Sequence, residues 1–600
     1  MNNNGEKTRA EISSEFKWNI EAMYPDESKI NDDISQAISL AKSIADKQGS
    51  IMSSPANLLA VLNDYAESIR LIEKVFVYSH MRHDEDNANA KYTEMYSKAV
   101  ASYTEIGAAL SFLTPEILES DRETVKEFIQ SEPGLETYRF MLDEIMLRKE
   151  HVLSKEQEYI MASLGEIIGC PDEIFTVLND ADLKFEQVKD ADGVAKPLTH
   201  ASYVQFMESP DRDVRKDAYY KMYAKYKELN NTISTLYNFN IKSDVICSGL
   251  RNYESSLDAA LSSENIPTTV YDNLINAVHE HLPAMHKYVN LRKKVLGLDE
   301  MKMYDVYRPL VKPEGIEYSF EEALNTACEA LSPLGQEYVQ ILRNGIQNEK
   351  WVDIYENAGK TSGAYSFGSY DSYPYILMNF TGDLRDVFTL IHEGGHSMHS
   401  YYTRKTQPYI YADHSIFTAE VASTVNETLL IKYLLANCTD VEMKKYLINF
   451  YIDEFKSTLF RQTMFAEFEK IVHEHVEAGE SLSAEYMNSV YNDLNTKYFG
   501  PAMSEDDMIQ YEWSRIPHFY RSFYVYQYAT GYSAANAIAN RILNEGEPAR
   551  NDYLEFLKTG SSNYPIELLK IAGVDMSTEQ PVLSALDTFD ELVDELERII

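Results

Sequence analysis

The chain has 600 residues, and its 95 Asp and Glu outnumber its 55 Lys and Arg, which leaves a net charge of −40 at pH 7. An excess of carboxylates this large repels phosphate backbones and anionic membrane surfaces, which argues against nucleic-acid binding as a function. Hydrophobic residues make up 44% of the sequence, enough for a sizeable interior and too many for long disordered regions.

The N-terminal sequence Met1–Lys7 is polar and contains no apolar core of a secretory signal peptide. No stretch approaches the roughly 18–20 consecutive apolar residues that a membrane-spanning helix needs. The four cysteines, Cys170, Cys247, Cys328 and Cys438, stand far apart and form no CxxC pair. Neither a disulfide framework nor a cysteine zinc site is therefore expected. We predict a soluble, cytoplasmic protein with no membrane partner.

Helical periodicity dominates the chain from its N-terminal part onward. Apolar residues recur every three or four positions between charged ones, a spacing that predicts amphipathic helices. The clearest examples are residues 57–78, 91–113, 155–178 and 211–238. We expect a helical N-terminal region over residues 1–200 and a second, mainly helical region over residues 201–600.

Signals for β-structure are few. Lys184–Val194 contains an Asp-Gly pair, a dipeptide typical of a hairpin turn. Tyr373–Phe380 is rich in aromatic residues, and Gly, Ser and Tyr are frequent in residues 359–370 before it. We predict a small sheet near residues 350–380 and a mainly α fold overall.

The sequence His392–His396 reads His-Glu-Gly-Gly-His, an HExxH motif. Two histidines four residues apart lie on one face of a helix, so their ring nitrogens can bind one metal ion. The intervening Glu393 points to the side, where it can reach a water molecule on the metal. Asp383 is a candidate N-cap for this helix. The adjacent glycines cost about 1 kcal/mol each relative to Ala, which a helix accepts where another backbone approaches closely.

A catalytic zinc ion normally has three protein ligands and one position open to water. Glu420 is our candidate for the third ligand, because the segment Phe417–Glu427 has a helical pattern and follows the motif by about 20 residues. Such a connection lets the second helix pack back against the first. Its small residues Ala422 and Ser423 would then face the paired glycines.

Three further polar side chains near the motif are open to more than one interpretation. Glu427 lies two turns after the third candidate ligand and could orient a ligand histidine through its free N–H, or could be an ordinary solvated glutamate. His399 is about 10.5 Å along the helix axis from the first motif histidine. That separation is too great for a shared ion and favours a role beside the ligands or in packing. His414 lies in a loop-like stretch and is a possible ligand.

Near the C-terminal end of the chain, Tyr520, Tyr524, Tyr528 and Tyr532 recur every four residues. On a helix this spacing places all four rings on one face. By itself the spacing favours a stripe of core residues.

Four segments together form a pattern that resembles the thimet-type oligopeptidases, and within them the bacterial oligoendopeptidase F branch. The segments are Gly359–Ser366, His392–His399, Glu420–Glu427 and His518–Gly531. Weaker similarity occurs at Trp18-Asn19, His151–Ser154 and Glu208–Arg212. The resemblance therefore covers nearly the whole chain.

This resemblance implies a two-lobed, mainly α fold with a deep substrate channel, the zinc on its wall and the small sheet beside the motif helix. The region 201–600 would be catalytic, and the region 1–200 would form a lobe that covers the channel. The implied zinc ligands, one Zn²⁺ per chain, are His392, His396 and Glu420. Glu393 would be the general base.

The same resemblance assigns a role to the C-terminal segment, since these peptidases use a histidine and tyrosines there to hydrogen-bond the substrate carbonyl. His518 and Tyr524 are the first candidates, followed by Tyr528 and then Tyr532. The Tyr373–Phe380 strand precedes the motif helix, where it is expected to pair with an extended substrate. Asn379 would add a side-chain hydrogen bond to that substrate.

We therefore predict a zinc-dependent endopeptidase that hydrolyses internal bonds of short oligopeptides, with Glu393 as the base. One alternative is a zinc exopeptidase, although the sequence contains no dedicated motif for recognising a free terminus. The other is a helical peptide-binding protein with a structural zinc ion. A structural site would need four protein ligands, and the sequence offers three good candidates.

Overall fold

The computed structural model describes residues 7–311 and 317–600, and it is mainly helical. The first helices are α1 (Lys29–Ala45), α2 (Pro55–Glu85), α3 (Ala90–Leu110), α4 (Leu113–Glu119), α5 (Arg122–Ser131), α6 (Arg139–Leu147), α7 (Lys155–Thr176), α8 (His200–Met207), α9 (Arg212–Glu228), α10 (Asn230–Leu250), α11 (Ser256–Ser262), α12 (Thr268–Glu280) and α13 (Leu282–Val295). The later helices are α14 (Phe320–Ala330), α15 (Gln336–Gln347), α16 (Leu384–Thr406), α17 (Ile416–Asn437), α18 (Val441–Glu454), α19 (Arg461–Glu477), α20 (Ala484–Phe499), α21 (Tyr526–Glu545), α22 (Glu547–Phe556), α23 (Pro565–Ile571) and α24 (Gln580–Ile599). The mainly α fold class is confirmed.

The described residues fall into two compact units. Unit 1 contains those of Met1–Glu150, Ile316–Leu430 and Ile538–Gly573. Unit 2 contains those of His151–Gly315, Ile431–Ala537 and Val574–Ile600. Our division of the sequence into residues 1–200 and 201–600 stays a prediction. Among the described helices, none combines the length and the apolar character that crossing a membrane requires.

Unit 1 contains a three-stranded sheet formed by β3 (Val352–Asp353), β4 (Tyr365–Phe367) and β5 (Tyr375–Leu377), in the order β3-β5-β4. The strand β5 pairs in parallel with β3 and antiparallel with β4. Tyr375 and Leu377 are fully buried in one hydrophobic cluster with side chains of α1 to α6. The predicted sheet near residues 350–380 is confirmed. The Asp-Gly pair noted in the sequence lies between β1 (Val188–Lys189) and β2 (Ala195–Lys196), which pair antiparallel.

The expectation that Tyr373–Phe380 pairs with a substrate is wrong. The strand in this segment, β5, is the central strand of the sheet, and both of its edges are already hydrogen-bonded. The two edge strands are β3 and β4. Asp84 of α2 accepts hydrogen bonds from Tyr365 Oη at 2.8 Å and from Thr361 Oγ1 at 2.8 Å, which ties β4 and the loop before it to α2.

The motif helix α16 begins where the sequence predicts. The side chain of Asp383 accepts a hydrogen bond from the backbone N–H of Asp386 at 3.0 Å and thereby caps the helix. Fully buried side chains of the helix include Val387, Ile391 and Met398. Because these apolar residues recur with helical spacing, one face of α16 is held in the interior and its orientation is fixed.

Candidate metal centre

Helices α16 and α17 of unit 1 bring three candidate ligand atoms together. Nε2 of His396 lies 3.2 Å from Nε2 of His392. Oε2 of Glu420 lies 3.4 Å from Nε2 of His392 and 3.6 Å from Nε2 of His396. With bonds of about 2.0–2.1 Å, ligand atoms around a tetrahedral ion are about 3.3–3.4 Å apart. The three atoms therefore already have the spacing that a tetrahedral metal ion requires.

A single glycine allows the two helices to approach so closely. A Cβ atom placed on Gly395 would lie 2.6 Å from Cα of Ser423 and 2.7 Å from the carbonyl oxygen of Ala422. The expected contact between the glycines and the small residues of α17 is therefore made by Gly395. Gly394 instead faces Leu342 of α15, whose Cδ1 would lie 3.4 Å from an added Cβ.

This difference predicts opposite outcomes for two neighbouring substitutions. Gly395→Ala is expected to destabilise the protein by roughly 1–3 kcal/mol, because the new methyl group overlaps the backbone of α17. It should also lower metal affinity strongly, since the helices that carry the ligands are pushed apart. Gly394→Ala is the matched control, expected to retain the metal and to gain up to about 1 kcal/mol from helix propensity. Denaturant unfolding and the metal content of each variant measure both effects. If Gly395→Ala behaves like Gly394→Ala, the packing argument is wrong.

Carboxylates surround the two histidines. Nδ1 of His392 is 3.1 Å from Oε1 of Glu427, which leaves Nε2 directed at the ligand group. Burial lowers the pKa of His392, but hydrogen bonds to Glu420 and Glu427 outweigh burial and hold this pKa well above its usual range. Hydrogen bonds from His392 and His396 hold the pKa of Glu420 well below its usual range. The group thus attracts positive charge, from a proton or from a metal cation.

Glu393 lies on the same helix but outside the three-atom group. Its side chain is only 8% exposed. Burial raises the pKa of Glu393, and the charges of His392 and His396 and a hydrogen bond from the backbone N–H of Ser366 in β4 offset part of this rise. The hydroxyl groups of Ser366 and Ser397 are 2.8 Å apart, which ties β4 to α16 at this point. The candidate base therefore lies beside β4, an edge strand of the sheet.

The other two histidines near the motif pack against each other. The rings of His399 and His414 are 3.6 Å apart, and His399 also contacts the ring of Phe556 at 5.3 Å. His414 forms a 3.1 Å hydrogen bond with Thr403, and burial lowers the pKa of His414 to about 3. His414 is thus engaged by its neighbours and is not part of the three-atom ligand group. His399 takes the packing role that the sequence left open, and its role beside the ligands stays a prediction.

A cavity of about 1000 Å³ in unit 1 contains the candidate ligands and Glu393 in its wall. The strand β4 forms another part of this wall. Side chains from α2, α3 and α6 form a further part of it, among them Ile69, Phe76, Val77, Val100, Tyr103 and Met141. Sequence reasoning did not identify these apolar residues, because their spacing is that of ordinary core positions in amphipathic helices.

Asn379 has a local structural role. Its amide nitrogen donates hydrogen bonds to the carbonyl oxygens of Thr361 at 3.0 Å and Gly363 at 2.9 Å. Both amide hydrogens are thereby used to hold the loop that precedes β4. A contact between Asn379 and a substrate stays a prediction.

The C-terminal candidates belong to unit 2 and form a group of their own. The ring of Tyr524 is 6.3 Å from that of His518 and 5.5 Å from that of Tyr528. Oη of Tyr528 is 3.4 Å from Nε2 of His518. Tyr524 and Tyr528 are partly exposed. Tyr520 and Tyr532 are buried, each at 8% exposure. The stripe predicted from the spacing thus contains both core residues and accessible ones.

Comparisons with known proteins agree with these observations. Two family profiles match the chain, Peptidase family M3 at residues 205–588 and Oligopeptidase F at residues 116–185. The chain is 44% identical over 592 residues to the oligopeptidase PepF of Bacillus subtilis, covering 99% of this chain and 88% of that protein. It is 40% identical over 595 residues to the group B oligopeptidase PepB of Streptococcus agalactiae, covering 99% of this chain and 98% of that protein. The fold is similar to the crystal structure of oligoendopeptidase-F from Enterococcus faecium, with a TM-score of 0.74 and 36% sequence identity. The match covers 96% of this chain and 99% of that one.

Proposed function

Because this chain belongs to peptidase family M3 and is a metalloendopeptidase that hydrolyses oligopeptides, we propose that its metal ion is zinc and that Glu393 is the general base. The observation that carries the proposal is the group of two imidazole nitrogens and one carboxylate oxygen, 3.2–3.6 Å apart. Two histidines and a glutamate are a ligand set of catalytic zinc sites. Magnesium and calcium prefer sets made only of oxygen atoms.

A catalytic role needs an open position beside the three protein ligands, and the cavity in front of them supplies the space. When bound, zinc supplies Lewis-acid chemistry, because it polarises the peptide carbonyl and lowers the pKa of water from about 15.7 towards 7. Glu393 takes the proton of the attacking water and delivers it to the nitrogen of the leaving amine. Its raised pKa favours this exchange, since a base works best when its pKa is near the working pH.

The edge strand β4 is our candidate for binding the substrate backbone. The N–H of Ser366 points to Glu393 rather than to β5. In an antiparallel ladder the N–H and C=O of one residue face the same side, so the carbonyl of Ser366 also faces the cavity. An extended peptide that adds to β4 would donate a backbone N–H to this carbonyl oxygen and pass beside the base.

Tyr524 and His518 are proposed to hydrogen-bond the carbonyl oxygen of the scissile bond. Such a donor contributes about 3–4 kcal/mol to lowering the barrier. The exposure of His518 and the partial exposure of Tyr524 support this choice over Tyr520, which is buried. Tyr528 contacts His518 and comes next, whereas the buried Tyr532 packs against Phe455 at 5.0 Å between ring centres.

The experiment that tests the proposal is incubation of peptides of graded length with the protein, followed by mass spectrometry of the fragments. We expect cleavage at internal bonds of short peptides, loss of cleavage after treatment with a chelator, and recovery when Zn²⁺ is added back. Release of residues only from one end of each peptide would favour an exopeptidase instead. Failure of Zn²⁺ to restore activity when another divalent ion does so would contradict zinc as the metal.

A further inference from the structure

The segment that carries His518, Tyr524 and Tyr528 contains a strained residue. Phe523 has a φ angle of +59°, in the left-handed region. Asparagine and glycine adopt this conformation readily, but for a bulky aromatic residue it is unfavourable. A conformation of this kind persists only where the surrounding structure holds it in place. Unit 2 contains two side chains that do so.

The first is Glu469, on helix α19. Its Oε1 accepts a hydrogen bond from the backbone N–H of Phe523 at 2.9 Å. The side chain is completely buried, and its Oε2 forms no hydrogen bond with any described residue. Burial raises the pKa of Glu469 well above its usual range. The backbone of Phe523 is thus the partner of a buried carboxyl group 54 residues away in sequence.

The second is Asp244, on helix α10. Its Oδ2 accepts a hydrogen bond from Oγ of Ser522 at 2.6 Å. The ring of Phe523 then packs between two further side chains, 4.4 Å from the ring of His473 and 5.9 Å from that of Tyr271. Residues 522 and 523 are therefore fixed to two different helices, through one side chain and one backbone group.

This anchoring determines where the next residue lies. Tyr524 directly follows the left-handed residue, so a change of the Phe523 φ angle to a negative value would turn the Tyr524 ring away from its present neighbours. Those neighbours are the rings of His518 at 6.3 Å and Tyr528 at 5.5 Å. The geometry of the group depends on a backbone conformation that Phe523 would not adopt unaided.

We propose that Glu469 and Asp244 are positioning residues, which hold Ser522 and Phe523 in the left-handed turn and thereby place Tyr524 for its contact with the substrate carbonyl. This inference rests on the proposed role of Tyr524. Neither carboxyl group needs to touch the substrate or the metal ligands. Their effect on catalysis passes through the backbone of residues 522 and 523.

The test compares Glu469→Leu with Glu469→Gln. Leucine has no acceptor for the Phe523 N–H, so we expect kcat to fall roughly tenfold, KM to change less than about twofold, and amide hydrogen exchange over residues 519–526 to accelerate. Glutamine keeps the acceptor oxygen, so Glu469→Gln should remain near wild type in all three measurements.

The matched control is Glu467→Leu. Glu467 lies on the same helix as Glu469, but its carboxylate forms hydrogen bonds with His279 and Tyr498 and not with residues 519–526. This variant is expected to change stability without changing kcat or the exchange of residues 519–526.

A double-mutant comparison separates positioning from a general loss of stability. In a Tyr524→Phe background, Glu469→Leu should lower kcat no further, because the hydroxyl group that it positions is already absent. A further tenfold loss there would overturn the inference, as would wild-type kcat and exchange in Glu469→Leu. If Glu469→Leu does not fold, Ser522→Ala provides the test, because it removes the hydrogen bond to Asp244. Wild-type kcat and wild-type hydrogen exchange in Ser522→Ala would also overturn the inference. A different result separates the two proposals. If Tyr524→Phe has an unchanged kcat, the proposed role of Tyr524 is contradicted. If Glu469→Leu at the same time shows accelerated hydrogen exchange, the anchoring of residues 522 and 523 is still established.

Discussion

Glu393→Gln is expected to retain the metal ion and to hydrolyse peptides about a thousandfold more slowly than the wild type. The amide has nearly the size and shape of the carboxylate and can still accept the hydrogen bond from the Ser366 N–H, but it cannot take up a proton. The substitution therefore removes the base while it preserves the packing of a side chain that is 8% exposed. The measurements are kcat on an internally quenched peptide and the metal content of the purified variant.

The control for this experiment is Glu73→Gln. Glu73 also lies in the wall of the cavity, where its carboxyl group accepts a hydrogen bond from Tyr409, and burial raises the pKa of Glu73 as it does that of Glu393. A kcat within about threefold of wild type is expected for Glu73→Gln. Among the described residues, Glu73 forms no hydrogen bond or ion pair with the three candidate ligands. If Glu393→Gln keeps a near wild-type kcat, the assignment of the base is wrong.

Glu420→Ala should release the metal ion on dialysis and abolish turnover. Its Oε2 is the only oxygen in the three-atom group and lies within 3.6 Å of both histidine nitrogens. Without it, two neutral imidazoles remain to hold a divalent cation, and the negative charge that favours binding is lost. Elemental analysis after dialysis against a weak chelator measures the effect directly. Full metal retention in this variant would remove Glu420 from the ligand set.

Glu427→Gln is the graded comparison on the same helix. Glu427 lies 3.1 Å from Nδ1 of His392 and is not a member of the three-atom group. Carboxylates that orient a ligand histidine in this way typically contribute 10- to 100-fold to metal affinity or activity. We therefore expect this variant to bind the metal more weakly than the wild type and more tightly than Glu420→Ala. A chelator titration ranks the wild type, Glu427→Gln and Glu420→Ala by metal affinity. This ranking distinguishes a metal ligand from a residue that orients one.

The sequence alone was sufficient for the features that depend on one helix. The 3.6-residue repeat places His392 and His396 on one face whatever the rest of the chain does. Asp383 caps the same helix through a contact three residues along. The paired glycines indicated a close approach of another backbone, which Gly395 makes. The first two are local relations set by the regular geometry of the helix, and the third was indicated by the cost of glycine inside a helix.

The tertiary structure alone decided the features that depend on which distant segments meet. Tyr373–Phe380 has the composition of a strand, but only the order of pairing shows that β5 is central and that β4 is an edge strand. The four tyrosines of the C-terminal stripe are indistinguishable by spacing, and only packing separates the buried Tyr520 and Tyr532 from the accessible pair. Glu469 carries no sequence signal at all, because its role comes from a hydrogen bond to a backbone group 54 residues away. Periodicity reports on neighbours along the chain, whereas burial and strand order arise from contacts between residues far apart in it.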